Sequence, residues 1–314
     1  MISRFKFISF LFTILFCSIL HAQSFKKIAY WEDDINERLE HFLNATQVRE
    51  DRKVAVFDCD GTLFGQSPYY LADESLLAYA EKNYASKNDE FSKNKMEIID
   101  TLLKGDNEGT AYVRRRINFL SGLSAKDVED IGENCFEEKY AHKFYPEMQE
   151  LIANLKVYGF EIWVLTASPE ILYQSFVSEN LGIPKNRILG VKSVISGNKV
   201  TNQIVNPVPQ NYGKAEAIQT FIKTKPLFVA GNSRGDMEMM QESIGLKLIV
   251  NPDNEKIFDA SAGVLNGYNL RSYWEKEGAL IVNCEDSPDE KIRFVAKKLK
   301  VAPNKDNPAV YSFK

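Results

Sequence analysis

Val54-Ala55-Val56-Phe57 has no polar residue on either of its alternating faces, and it runs straight into Asp58-Cys59-Asp60-Gly61-Thr62. A strand with one wet face alternates apolar and polar residues. One that is apolar throughout belongs where both faces are covered, as in a parallel sheet between layers of helices. In open α/β sheets, ligands bind beyond the carboxyl ends of the strands. Two carboxylates leaving such an end are therefore either part of a turn, for which Asp-Gly is a strong signal, or part of an active site.

The rest of the chain predicts the sheet. An opening helix spans residues 33–44, with Ile35, Leu39 and Phe42 on one face. After the Tyr145-Pro146 break, Met148, Leu151, Ile152 and Leu155 form a helical stripe. Then come a strand at 160–167, a helix from Pro169 with that proline in its first turn, and a strand and hairpin over 187–204 turning at Gly197-Asn198. A helix at 213–224, a strand at 226–232, a helix at 234–243 and a strand at 246–251 follow. Such alternation predicts an α/β fold built on a doubly wound parallel sheet. Between residues 65 and 144 the pattern is helical only, as in DESLLAYAEKNY, EGTAYVRRRINFLSGL and AKDVEDIGENCFEEKY. This predicts a core of residues 23–64 and 145–314, with an all-helical cap inserted at 65–144 over the carboxyl edge of the first strand.

Residues 1–22 carry Arg4 and Lys6, an apolar run from Phe7 to Leu20, and His21-Ala22. That is the plan of a secretory signal peptide, and the run falls short of the ~20 residues that span a bilayer. Export to the periplasm or the medium is the expectation. A lipid anchor at Cys17 fits less well, because bulky Phe16 precedes it. Loss of Arg4 and Lys6 takes the formal charge from −4 to −6. With no basic block, nucleic acid is not an expected partner. The mature chain keeps Cys59, Cys135 and Cys284. Cys59 lies between the two aspartates, so a Cys135–Cys284 bridge is the alternative to the expected core held by packing alone.

Polar residues recur at the ends of the apolar strands or the starts of the following helices: Asp58 and Asp60, Thr166, Lys214, and Asn232 with Asp236. Singly, Thr166 is a strand-end residue, Ser168 a helix cap, Lys214 a solvated lysine and Asn232 a cap in a βα loop. Together at one sheet edge they make a site. Asp58 is placed to attack a phosphoryl group and form an aspartyl-phosphate. Asp60 is placed to protonate the departing oxygen and then to activate water. Thr166, Lys214 and loop amides can surround the phosphoryl oxygens. Mg²⁺ would be held by Asp58, Asp60, Asn232 and Asp236, since it takes oxygen ligands and retains waters.

With DCDGTL (58–63), Thr166 in VLTAS, Lys214 in GKAEAI and GNSRGD (231–236), the chain resembles the haloacid dehalogenase superfamily of aspartyl-phosphate hydrolases. The resemblance implies a Mg²⁺-dependent phosphatase acting on a small phosphomonoester. The helical insertion resembles the small cap of the phosphoserine phosphatase group. There VRRRINFLSGL (113–123) is similar to the segment whose arginine binds a substrate carboxylate, which makes Arg116 the match. Arg114 and Arg115 stand beside it, and a solvated helix face is the alternative for all three. Three positions depart from the pattern: Ser67 and Gly235 replace an acidic residue and an asparagine, and Asn232 replaces an aspartate. Exported phosphocholine phosphatases are a further resemblance, with Phe64, Tyr69, Tyr70 and Tyr112 either facing a quaternary amine or packed in the cap.

Other chemistries fit less well. No cysteine is followed by five residues and an arginine, and His21, His41 and His142 stand in no catalytic setting. Haloacid dehalogenation needs no acid for an oxygen leaving group, and a membrane pump needs spans the sequence lacks. From another class, an exported binding protein with little or no turnover remains open because of Asn232.

Overall fold

The computed structural model describes residues 24–105, 107, 109–254, 256, 265–298, 301–304 and 307–313. The expected signal segment lies outside them. In chain order the elements are α1 (Asp33–Ala45), β1 (Val54–Phe57), α2 (Leu71–Asn83), α3 (Glu90–Lys104), α4 (Gly109–Leu120), α5 (Ala125–Cys135), α6 (Pro146–Val157), β2 (Glu161–Pro169) and α7 (Glu170–Leu181). They continue with β3 (Ile188–Ser196), β4 (Lys199–Val205), α8 (Tyr212–Ala217), β5 (Phe228–Gly231), α9 (Met237–Gln241) and β6 (Leu246–Val250). The last are α10 (Leu270–Lys276), β7 (Leu280–Val282) and a small hairpin, β8 (Val301–Pro303) with β9 (Tyr311–Phe313).

The main sheet has the order β4-β3-β2-β1-β5-β6-β7. It is parallel except for the edge pair β3–β4. Successive side chains of a strand point to opposite faces, and β1 obeys this without a wet side. Ala55 and Phe57 join the apolar layer of α1, α6 and α7, while Val54 and Val56 join the layer of α9 and α10. Burying a valine or phenylalanine contributes roughly 1.5–3 kcal/mol, so a polar substitution on either face of β1 is unfavourable. From β1 the chain winds outward through β2 and β3, then returns to place β5 on the other side of β1. The strand order thus reverses between β1 and β5. That switch point opens a crevice beyond the strand ends.

Helices α2 to α5 form the insertion between β1 and α6. Its two connections run side by side: Gly65 N–H donates to the Lys143 carbonyl at 2.8 Å, and Tyr145 N–H to the Leu63 carbonyl at 3.1 Å. Helix α5 packs along α7. On the far side the β3–β4 hairpin reaches the inserted helices, with Gly122 N–H on the Val200 carbonyl at 2.8 Å and Val200 N–H on that of Leu123 at 2.9 Å.

Several elements differ from expectation. Pro169 ends β2 and stands at the N-cap position of α7, one residue before its first turn. The helix expected over 213–224 is α8 followed by a wider, π-type turn from Ile218 to Ile222. Neither α10 nor β7 was expected, nor the run of buried residues Ile292, Phe294 and Ala296. Cys59, Cys135 and Cys284 are all buried and unbridged.

Candidate active site

The Asp58 N–H donates to the Ala230 carbonyl of β5 at 2.9 Å, which seats this residue at the switch point. The Thr62 hydroxyl donates to its Oδ2 at 3.0 Å, and the Lys214 ammonium donates to its Oδ1. Lys214, only 4% exposed, also donates to Asp236 Oδ1 at 2.6 Å. The other oxygen of Asp236 accepts the N–H groups of Asn232 and Ser233 and the Ser233 hydroxyl, each at 3.0 Å. Two buried carboxylates thus share one cation. Burial and the neighbouring Asp236 push Asp58 up to about 7, against the pull of Lys214. Burial opposes the charge of Lys214, but Asp236 and Asp58 outweigh it and hold the ammonium protonated.

Asp60 faces a different set of groups. The Tyr173 hydroxyl donates to its Oδ1 at 2.7 Å. Ser168 Oγ and Thr166 Oγ1 donate to Oδ2 at 3.1 and 3.3 Å. Thr166 accepts the Ser168 N–H at 3.0 Å, which orients it. Burial raises the Asp60 pKa even though these donors and Arg116 favour its anion. Neither Tyr173 nor Thr62 was expected at the site, and Ser168 was read as a cap. Thr62 lies within DCDGTL and Ser168 within VLTAS, whereas Tyr173 reaches Asp60 from 113 residues further along the chain.

In the insertion, Arg114 is exposed, Arg115 half-buried and Arg116 buried. The solvated-face reading therefore fails for Arg116. Its Nε donates to Asp73 Oδ1 at 3.1 Å, and its Nη2 donates to Asp73 Oδ2; the Tyr112 hydroxyl donates to the same carboxylate. Asp73, fully buried, was not expected here. The guanidinium lies 4.0 Å from the Tyr112 ring centre and 5.5 Å from that of Tyr70. Those two rings face Arg116, while Phe64 and Tyr69 are fully buried among other aromatic rings.

The donor set suits a hard cation at Asp58 and Asp236, where positive charge is already shared between two carboxylates. Among the described residues no three His, Cys, Asp or Glu side chains gather into a cage. Mg²⁺ asks for less, usually one or two carboxylates with retained waters. Asp58, Asp60 and Asp236 all have both carboxylate oxygens in hydrogen bonds, so a cation would compete with Lys214 and Thr62 at Asp58 and with Tyr173 and Ser168 at Asp60. The Asn232 and Gln66 amides both lie against Gly61 in the catalytic loop. The capping role considered for Asn232 belongs to Ser233, whose side chain accepts the Gly235 N–H at 3.2 Å.

Residues 55–241 match the family of haloacid dehalogenase-like hydrolases. The chain belongs to this family. It is 24% identical over 208 residues to the phosphoserine phosphatase SerB1 of Mycobacterium tuberculosis, a match covering 63% of this chain and 65% of that protein. To SerB2 of the same organism it is 22% identical over 219 residues, covering 67% and 47% respectively. The chain thus spans less than two thirds of the length of these relatives. Among solved structures, a Bordetella pertussis protein of unknown function aligns with a TM-score of 0.56 at 13% identity, over 74% of this chain and 98% of that one. An Anaerococcus prevotii protein aligns at 0.55 and 16%, over 75% and 91%. Both share the fold.

Proposed function

We propose that this haloacid dehalogenase-like protein is a Mg²⁺-dependent phosphomonoester hydrolase acting on a small metabolite through an aspartyl-phosphate. The observation that carries the reading is the contrast between Asp58 and Asp60. Asp58 is tied to a buried ammonium, whereas Asp60 sits among hydroxyls, and burial raises both. Carboxylates whose surroundings differ in this way divide into nucleophile and acid.

An Asp58 oxygen attacks phosphorus while the bond from phosphorus to the ester oxygen breaks, and Asp60 gives that oxygen its proton. Asp60 then takes a proton from water as the water oxygen attacks the aspartyl-phosphate. The bond from phosphorus to Asp58 breaks, freeing inorganic phosphate and restoring the Asp58 carboxylate and the protonated Asp60. Lys214 and the amides after Asp58 neutralise the phosphoryl oxygens. Mg²⁺, held by Asp58 and Asp236 with Asn232 at the rim, would supply further positive charge there. Arg116, held by Asp73 through Nε and Nη2, is the cation we assign to a leaving group that bears a carboxylate. Export is part of this proposal, and cell fractionation tests it.

The decisive measurement is phosphate release by the purified protein from a panel of small phosphomonoesters, with EDTA and with Mg²⁺ restored. Mg²⁺-dependent release that Asp58→Asn lowers by at least ~1000-fold is expected, as for other lost nucleophiles. Wild-type rates in Asp58→Asn would overturn the mechanism, and no release from any ester would favour the binding protein.

A further inference from the structure

The family match ends at residue 241, yet residues 284–298 reach back across the molecule to both connections of the inserted helices. Asp286 is 3% exposed. Its Oδ2 accepts the Gln66 N–H at 2.9 Å, the Ser67 N–H at 3.2 Å and the Ser67 hydroxyl at 3.2 Å. Its Oδ1 accepts the Lys143 ammonium at 3.0 Å, and Lys143 also donates to the Ser287 carbonyl at 2.9 Å. One carboxylate therefore holds the outgoing connection at 66–67 and the returning one at 143. The approach leaves no room for a side chain at position 65, where a Cβ would lie 2.2 Å from Asp286 Oδ1.

Further along, the segment lies on the inserted helices. Glu74 of α2 accepts the N–H groups of Arg293 and Phe294 at 2.8 and 2.6 Å. Phe294 is fully buried with its ring 4.8 Å from that of Tyr69. The Lys297 N–H donates to the Leu103 carbonyl, where α3 ends, at 3.0 Å. With α5 along α7 and the β3–β4 hairpin at 122–124, the insertion is anchored on three sides.

We propose that residues 284–298 form a strap that keeps the helical insertion from swinging away from the core, with Asp286 as its positioning residue, and that the strap thereby limits the size of the phosphomonoester admitted. This rests on the phosphatase reading for its substrate but not for its mechanics. Asp286 acts through the connection it holds: Gln66 lies against Gly61, three residues from Asp58.

The test compares wild type with Asp286→Asn and with Glu74→Gln, which loosens the strap at its other end should the first variant fail to fold. Hydrogen exchange of the backbone at 64–67 and 143–145 is measured together with kcat/KM for a small alkyl phosphate and a bulky aryl phosphate. We expect exchange at both connections to rise at least tenfold in the variants. The ratio of bulky to small kcat/KM should rise at least fivefold, while circular dichroism stays native. A general loss of stability would lower both substrates alike. Unchanged exchange in a folded variant overturns the strap, and faster exchange with an unchanged ratio overturns its role in substrate size. If no ester is hydrolysed while exchange rises, the phosphatase reading has failed and the strap stands.

Discussion

In the proposed mechanism Asp58 attacks as its anion, and its surroundings place it at about 7. As pH falls through that value the nucleophile is protonated, so kcat/KM should decline on the acid side. Burial raises Asp60 as well, while the Tyr173 and Ser168 hydroxyls and Arg116 hold it back. A divalent cation favours the anion of Asp58. Raising Mg²⁺ should therefore move the acid limb to lower pH, and a limb that stays fixed in profiles at two concentrations would separate Asp58 from the cation. Asn232→Asp should lower the Mg²⁺ concentration for half-maximal activity and Asp236→Asn should raise it, since affinity follows the negative charge offered. Unmoved midpoints in both would remove this loop from the metal site. Arg116→Ala leaves Asp73 a buried carboxylate with no cation beside it and only the Tyr112 hydroxyl to hold it, a change that costs about 3–5 kcal/mol. Arg116→Met with Asp73→Leu should cost far less, and urea denaturation of both compares them. Asp58, Asp60, Thr166 and Lys214 were legible from their places at strand and helix ends. Tyr173 beside Asp60 and Asp73 beside Arg116 were not, because no spacing rule joins residue 60 to 173 or 73 to 116.

Among the elements, β1 and the Gly197-Asn198 turn could be read directly, since apolar composition and a turn dipeptide are local signals. The strap could not. Its burial comes from Tyr69, Glu74 and Leu103, more than 180 residues earlier in the chain, and its own charged sequence looks solvated. The contact of α5 with α7 is equally hidden. It depends on Gly132, where a side-chain carbon would lie 1.9 Å from the Leu172 carbonyl oxygen. Gly132→Val should force the helices apart and cost about 1–3 kcal/mol. A melting temperature equal to wild type would mean that the two helices separate freely.

For the molecule as a whole, cohesion comes from apolar layers on both sides of the sheet, and its three described cysteines are unbridged. Dithiothreitol should leave the melting temperature unchanged, and a fall of several degrees would reveal a bridge. Folding kinetics follow from the way the strap is tied. The bond from Ser67 to Asp286 joins residues 219 apart, and the Lys143 pair joins residues 143 apart. Contacts of such separation are slow to form because long loops must close first. The helical insertion and the sheet can assemble through nearer contacts while Asp286 is still searching. The two connections bond to each other through Gly65 with Lys143 and Tyr145 with Leu63, and Asp286 ties that pair to residues 284–298.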